Sequence, residues 1–271
     1  MTGGKIRLSR LVALITAVFG LGFLLCPLAA AEAATAGKEQ EVFTADPSLP
    51  AAKELPAIEA AGITLNGSGP KVLIYHTHTN EAYTDTKDAD WRADDTEKNI
   101  IAVGKALAEA LTEYGIEVIH DETNHEKPDL AAAYTRSLVT MEQYKEKYPS
   151  IELFIDVHRD VSASPAGEED EIAVIDGKQV ARLMLVVGTG EKADEKPDYK
   201  GNFALAKSVS GQLSAVHPDL VHPIRVKAGR YNQHVGRSLF VEVGHNRNTL
   251  KEALNATEYL AEAIANVVQK S

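Results

Sequence analysis

Apolar runs alternate with amphipathic segments from residue 71 to the end of the chain. The runs whose length and composition predict β-strands are 71–75, 116–120, 151–157, 221–227 and 237–243. Between them, apolar residues recur at spacings of three and four, which predicts helices at 96–114, 129–148, 202–216 and 249–269. Asp176-Gly177 is typical of a turn that joins two hairpin strands, at 171–175 and 179–188. We therefore predict an α/β fold, a mostly parallel sheet flanked by helices, in a single domain with an inserted hairpin.

The first 33 residues follow a different pattern. Lys5, Arg7 and Arg10 precede an uncharged apolar run, and small residues follow it. This order is typical of a secretory signal peptide, although the run is also long enough to span a bilayer as an uncleaved anchor. Both alternatives predict an exported, extracytoplasmic protein. Residues 34–69 lack a sustained period and are predicted to form a linker, which leaves 70–271 as the folded domain.

Charge and cysteine content narrow the classes of partner and ligand. The 271-residue chain has a net charge of −11, which makes nucleic acid a poor partner, because nucleic-acid-binding domains are usually basic. Contact with a membrane is expected only through the N-terminal segment, if it stays uncleaved. The single cysteine, Cys26, lies in that segment, so any metal ligands of the exported domain must be histidines and carboxylates.

The first strand of the domain ends in a run of polar residues with the sequence HTHTNE. His76 and His78 are separated by one residue, and Glu81 follows three residues later. In an extended segment the two histidines would point the same way, so the pattern alone leaves open which of them binds a metal. Imidazole nitrogens and carboxylate oxygens are both zinc ligands, and open α/β sheets place their sites at the carboxyl ends of strands.

Two later strands end in the same kind of residue. His158 lies in an apolar strand, where Asp156 or Asp160 could accept its second N–H and Arg159 offers a fork for a carboxylate. Glu242 lies between two valines of the last strand, where a carboxylate is costly to bury unless it faces a cation or a polar site. The alternatives are a core histidine beside a salt bridge and a glutamate bonded to a loop. We predict that the three strand ends meet at one Zn²⁺ ion.

The remaining polar candidates are less specific. His120 and His125 are expected in a surface loop, far in sequence from the three strand ends. Asn232 and Gln233, in the segment YNQH, carry amide groups suited to a peptide backbone.

The segments HTHTNEAY, IDVHRD, YNQH and VEVGHNRNTL occur in one order, and together they resemble the stage II sporulation protein P family from about Lys71 to the C-terminus. That family belongs with the zinc-dependent N-acetylmuramoyl-L-alanine amidases. The resemblance implies a cell-wall hydrolase that cleaves the amide between N-acetylmuramic acid and the stem peptide, and some members also cut peptide cross-links. It implies peptidoglycan as substrate and other cell-wall remodelling proteins as partners.

The resemblance also assigns roles to residues. The ligand set maps onto the HTHTNE segment and His158, and the catalytic glutamate onto Glu242. We choose His78 over His76 as the ligand, together with Glu81, because these two residues lie three apart and turn together more easily. His76, Arg159, Asn232 and Gln233 are then expected to orient the substrate. Two alternatives remain: a metallopeptidase acting on stem peptides, and a catalytically silent wall-binding module.

Overall fold

The computed structural model describes residues 63–65, 67–88, 91–161, 171–190 and 198–270. The strands in these residues are β1 (Ile63–Leu65), β2 (Val72–Tyr75), β3 (Val118–His120), β4 (Leu153–Asp160), β5 (Ile172–Ile175), β6 (Lys178–Ala181), β7 (Leu183–Gly188), β8 (Arg225–Lys227), β9 (Ser238–His245) and β10 (Val268–Lys270). The α-helices are α1 (Ile100–Glu113), α2 (Ala133–Lys147), α3 (Tyr199–Val216) and α4 (Leu250–Val267). A 3₁₀ turn, Leu130–Ala132, leads into α2.

Six strands form the main sheet in the order β3-β2-β4-β9-β7-β8. All neighbours in it are parallel except β7 and β9, which are antiparallel. The predicted α/β fold with a mostly parallel sheet is therefore confirmed. Because β2, β4 and β9 run in the same direction, their carboxyl ends lie at one edge of the sheet.

The two faces of the sheet are covered differently. Alternate residues of the central strands, such as Ile74, Ile155 and Val241, belong to a large apolar core that includes side chains of α1, α3 and α4. The other face carries a smaller cluster that includes Tyr75 and Phe154. Side chains alternate between the faces of a strand, so one face is devoted to the core while the other has space for polar groups near its edge.

Most predicted elements are present, with differences at their boundaries. Helix α1 begins at Ile100, four residues after the predicted start at 96, and is capped by Asn99, whose side chain accepts from the backbone N–H of Ile101. The predicted hairpin exists as β5 and β6, but its second strand ends at Ala181 and the chain then enters the main sheet as β7. One predicted strand is therefore two, and they lie in different sheets.

Several predictions concern residues outside the described ranges. The signal or anchor segment at 1–33, with Cys26, and the linker residues 34–62 are among them. Within the remaining part of the predicted linker, β1 pairs in parallel with β10. Among the described residues, no helix has both the length and the apolar character needed to cross a membrane.

Candidate active site at the carboxyl edge of the sheet

Strand register brings the candidate residues together. In the pairing of β4 with β9, His158 lies opposite Glu242. Strand β2 pairs with the other side of β4, with Tyr75 opposite Asp156, so the segment after β2 leaves the sheet beside His158. Parallel neighbours with side chains on the same face form a contiguous row, and here that row ends at the edge of the sheet.

His158 lies between two carboxylates. Its Nδ1 is 3.5 Å from Glu81 Oε2 and its Nε2 is 2.9 Å from Asp156 Oδ1. The ring stacks on Phe240 with centroids 4.3 Å apart. Burial alone would lower the pKa of His158, but the carboxylates of Asp156 and Glu81 raise it well above its usual value. A buried ring whose two nitrogens both face anions is a position that favours a cation.

A hydrogen-bond network holds Asp156 in place. The backbone N–H and the hydroxyl of Thr77 both donate to its carboxylate, at 2.9 and 2.7 Å. The Thr77 hydroxyl also lies 2.9 Å from the hydroxyl of Ser137 on α2. Burial opposes ionisation of Asp156, yet His158 and Thr77 lower its pKa. Asp156, and not Asp160, is therefore the acid that lies against the second nitrogen of the His158 ring.

Glu81 and His78 occupy the loop after β2. The backbone N–H of Arg159 donates to Glu81 Oε2 at 3.0 Å, and His158 lowers the pKa of Glu81 despite its burial. The His78 ring lies 5.4 Å from the His158 ring, centroid to centroid, and its Nδ1 is 3.3 Å from Glu126 Oε1. Burial lowers the pKa of His78 to about 4, so its ring is neutral near pH 7 and available as a ligand.

Glu242 is buried opposite His158, and its Oε2 has no hydrogen-bond partner among the described residues. Burial, and after it the carboxylate of Asp160, raises the pKa of Glu242 to about 8. A buried polar atom left without a partner costs free energy, and such atoms in native proteins call for an explanation. A cation or a polar ligand in the adjacent cavity would supply the missing partner.

A cavity of about 290 Å³ is lined by the candidate residues His78, Glu81, His158 and Glu242. Its wall includes three aromatic residues, Tyr134, Tyr231 and Phe240, and one lysine, Lys227. The Tyr231 ring contacts both other rings edge to face, with centroids 5.9 Å from Tyr134 and 5.4 Å from Phe240. We call this space the aromatic cavity.

The Tyr231 segment is held in an unusual backbone conformation. Tyr231 has φ 49° and Asn232 has φ 53°, a region that residues other than glycine rarely adopt. Asn232 Nδ2 donates to the carbonyl of Tyr134 and to the hydroxyl of Ser137, at 2.8 and 2.9 Å. Backbone strain of this kind persists only where surrounding contacts enforce it, and here they fix the position of the Tyr231 ring.

His76 lies elsewhere, which corrects the expectation that it points the same way as His78. Strand β2 ends at Tyr75 and the chain turns at once, so the extended geometry assumed for both histidines is absent. The His76 ring contacts Val157 O through Nδ1 at 2.9 Å and His120 Nε2 through Nε2 at 3.0 Å. A Cβ on Gly104 of α1 would lie 2.3 Å from His76 Nε2, so this histidine is packed against the helix on the opposite face.

The other three residues expected to orient substrate are bonded within the protein. The Arg159 guanidinium donates to the carbonyls of Ala82 and Trp91, at 3.0 and 2.7 Å. The Gln233 side chain accepts from the N–H of Gly188 and donates to the carbonyl of Val186. Together with the Asn232 bonds, these contacts favour roles in positioning loops over direct contact with substrate.

Sequence reasoning missed several residues of the site. Tyr134 and Phe240 look like ordinary core residues of a helix and a strand. Glu126 gave no signal because the loop around it was expected at the surface. That expectation was wrong, since His125 is 1% exposed and its Nδ1 lies 2.7 Å from the carbonyl of His76. The loop at 121–128 packs against the HTHTNE segment.

The arrangement can be tested for its fit to a metal ion. Two ligands of a tetrahedral zinc, each at 2.0–2.1 Å, lie about 3.3 Å apart, close to the 3.5 Å between His158 Nδ1 and Glu81 Oε2. Among the described residues, no three histidine, cysteine or acidic side chains are already grouped tightly enough to hold a metal ion. The donor types and this one pair fit zinc, and the His78 ring would have to approach them to complete the set.

Comparison with known proteins places the chain in a family. A family model described as stage II sporulation protein P (SpoIIP) matches residues 28–265. The chain belongs to the stage II sporulation protein P family. A SpoIIP relative from Bacillus subtilis (strain 168), named stage II sporulation protein P, is 26% identical over 216 residues, which cover 74% of this chain and 52% of the relative. The chain thus spans about half the length of this curated relative.

Solved structures share parts of the fold of this SpoIIP family member at low identity. The N-acetylmuramyl-L-alanine amidase Ami1 from Mycobacterium smegmatis has a TM-score of 0.38 and 13% identity, over 78% of this chain and 96% of that one. The catalytic domain of the endolysin CD27L, which targets Clostridia difficile, has a TM-score of 0.45 and 10% identity, over 75% and 99%.

Proposed function

We propose that the protein is a zinc-dependent peptidoglycan hydrolase that cleaves the amide between N-acetylmuramic acid and the stem peptide. The observation that supports this most is the position of Glu242. Its carboxylate is buried, with an Oε2 atom that lacks a hydrogen-bond partner among the described residues, and it lines the same cavity as His78, Glu81 and His158. Membership of the stage II sporulation protein P family supports the same chemistry.

In this proposal His78, Glu81 and His158 hold the zinc ion. Two imidazoles and one carboxylate are a donor set that leaves a fourth coordination position for water or substrate. Asp156 and Glu126 contact the second nitrogens of His158 and His78, as carboxylates commonly do behind metal-bound histidines. A bound zinc would supply a Lewis acid that polarises the amide carbonyl and lowers the pKa of a water molecule.

The chain's own residues handle the proton. Glu242 accepts the proton of the attacking water and returns it to the leaving amine nitrogen, as a general base and then a general acid. Burial opposes the charged form of Glu242 and raises its pKa to about 8. A nearby cation lowers the pKa of a carboxyl group, so metal binding and proton transfer are linked at this residue.

The surroundings of the site fit an extended substrate with an apolar and a polar part. The aromatic cavity offers Tyr134, Tyr231 and Phe240 as flat walls, and Lys227 as a positive charge.

We propose that the protein is exported, or anchored through its N-terminal segment, and that it meets peptidoglycan and other cell-wall remodelling proteins outside the cytoplasm.

The test combines metal analysis with product analysis. The purified full chain is expected to bind one zinc ion and to release intact stem peptides from purified peptidoglycan, identified by mass spectrometry. Glu242→Gln is expected to keep the zinc ion and to lose about 10²- to 10⁴-fold in rate, the usual contribution of general acid–base catalysis. Glu258→Gln, which alters an exposed acid on α4, is the matched control and is expected to change neither.

The outcomes separate the competing functions. Cleavage within the stem peptide, without its release from the sugar, would identify a metallopeptidase. Binding to peptidoglycan without hydrolysis would identify a wall-binding module. Full hydrolysis by Glu242→Gln would exclude the proposed role of that residue.

A further inference from the structure

A second cavity, of about 270 Å³, lies beside the aromatic cavity and shares Asp160 and Glu242 with it. Its other ionisable lining residues are Glu171, Arg182, His222 and Arg225. We call it the ion-pair cavity. The candidate metal ligands His78, Glu81 and His158 all line the aromatic cavity, so Glu242 stands at the boundary between the two spaces.

The direction of β7 explains why these residues meet. Because β7 runs antiparallel to β9, its amino end reaches the edge where β4 and β9 end, with Met184 opposite Glu242. Strand β8 is parallel to β7, so its first residue, Arg225, approaches the same edge. The two cavities therefore lie side by side at this edge of the sheet, with Asp160 and Glu242 in the walls of both.

Four of the lining residues of the ion-pair cavity form two pairs that solvent can reach. Arg225 NH1 donates to Asp160 Oδ2 at 3.1 Å, with 43% and 28% of the two side chains exposed. His222 Nε2 lies 3.1 Å from Glu171 Oε2, with 25% and 24% exposed. Exposed ion pairs stabilise a fold only weakly, so a ligand that offers an equivalent charge can replace one member.

Asp160 is suited to such an exchange. Its other oxygen, Oδ1, accepts from the backbone N–H of Val161 at 2.9 Å, so the carboxylate keeps a partner when Arg225 leaves it. Arg225 then presents its guanidinium fork to a new carboxylate, the group that this fork binds best. Glu171 stays paired with His222 and does not compete for the same cation.

We propose that the ion-pair cavity binds the peptide part of the substrate, and that Arg225 exchanges Asp160 for a substrate carboxylate close to the scissile amide. This inference rests on the proposed amidase function. Binding of the carboxylate by Arg225 would fix the direction in which the substrate lies. With the scissile amide beside Glu242, the peptide lies over β7 and β8 and the sugar lies in the aromatic cavity. It also makes a negatively charged peptide the preferred substrate of a chain whose net charge is −11.

The test uses two soluble sugar–peptide substrates that differ in one group. One carries a free carboxylate on the residue next to the scissile amide, and in the other this carboxylate is amidated. The zinc-loaded full chain is expected to prefer the free carboxylate by about tenfold in kcat/KM, mainly through KM, since a hydrogen bond to a charged group is lost on amidation. Arg225→Gln is expected to abolish that preference and to leave the amidated substrate almost unaffected, while Arg225→Lys restores part of it.

The control and the contrary results are distinct. Lys178→Gln removes an exposed partner of Glu258 on the hairpin and is expected to keep the preference of the unmodified chain. An unchanged preference in Arg225→Gln, or equal losses on both substrates, would overturn the proposal. If the chain hydrolyses neither substrate, the proposed function fails, but calorimetric binding still decides the site. Equal Kd values for the two substrates would then refute it, and tighter binding of the carboxylate form that Arg225→Gln removes would support it.

Discussion

The two faces of the central sheet are built from the same strands but have different roles: one forms the apolar core and the other carries the candidate site. On β4, Ile155 and Val157 join the apolar core under the helices, while Asp156 and His158, one residue along, form a buried charged pair. The first face buries apolar area, which stabilises the fold, and the second holds charges that burial disfavours. The comparison teaches that the free energy gained on one face supports an arrangement on the other that would not be stable by itself.

The largest effect is expected on the face of the sheet that α1, α3 and α4 cover, which we call the helix-covered face. Leu260 of α4 is fully buried in the core, so Leu260→Ala is expected to lower the free energy of unfolding by about 2 to 5 kcal/mol, through lost contacts and the cavity left behind. Chemical denaturation measures this change. Val139→Ala, at a position 48% exposed on α2, is the control and is expected to change it by less than about 0.5 kcal/mol.

Zinc binding sharpens that result. Folded Leu260→Ala protein is expected to bind zinc as tightly as the unmodified chain, because the ligands belong to the other face. A large loss of zinc affinity in this variant would show that the two faces are not separable.

A smaller but still large effect is expected from pH on the face that carries the site. Burial, with the carboxylates of Asp160 and Glu81, raises the pKa of Glu242 to about 8, against the opposing charges of His158 and Lys227. Between about pH 4.5 and pH 8 the folded chain holds one more proton at Glu242 than the unfolded chain, so its free energy of unfolding falls as pH rises. The loss of stability caused by ionised Glu242 is therefore absent below about pH 4.5 and complete above about pH 8.

Glu242→Gln isolates this contribution. The metal-free variant is expected to gain stability over the metal-free unmodified chain by a few kcal/mol near pH 8, and by almost nothing near pH 4.5. Denaturant unfolding at several pH values measures the difference. Parallel curves for the two proteins would show that the Glu242 carboxylate is solvated, contrary to its buried position.

The next effect concerns the acid behind His158. Asp156→Asn is expected to weaken zinc binding by about 10- to 100-fold, because the ring loses the carboxylate that orients it. Competition with a chelator measures the affinity. Asp160→Asn is the matched control, since Asp160 contacts Arg225 instead, and it is expected to leave zinc affinity almost unchanged. Equal losses in both variants would mean that only the total negative charge matters.

Much of the fold followed from the sequence because local pattern and burial agree there. The apolar run that became β4 and the helical period that became α4 both correspond to elements buried against the core. The break between β6 and β7 was not predictable, because 179–188 is mostly apolar and its one charged residue, Arg182, is not a turn-forming residue that would mark the change of sheet. The start of α1 was placed too early because Asp95, Thr96 and Asn99 are all good capping residues.

The site could be predicted in part for a similar reason. His158 and Glu242 stand out because a charge in an apolar strand needs an explanation, and the structure places them opposite each other. His76 was misjudged because the end of β2, which sends it to the helix side, depends on tertiary contacts with His120 and Val157. Whether His78, Glu81 and His158 hold zinc remains a prediction that the metal analysis above tests.

The smallest effect is expected at Thr249, which lies close to Glu242 in sequence but caps a helix of the apolar core. Thr249, a few residues after Glu242, caps α4: its hydroxyl accepts from the N–H of Glu252 at 3.2 Å, and the Glu252 carboxylate accepts from the N–H of Thr249 at 2.9 Å. Thr249→Ala is expected to lower the free energy of unfolding by about 1 kcal/mol. Thr249→Ser is expected to keep most of the stability that the cap contributes, because serine is also a good capping residue. Thermal unfolding measures both. Because the cap serves the helix-covered face, zinc affinity is expected to stay constant, and a parallel loss of affinity would mean that the turn after β9 positions Glu242 as well as starting the helix.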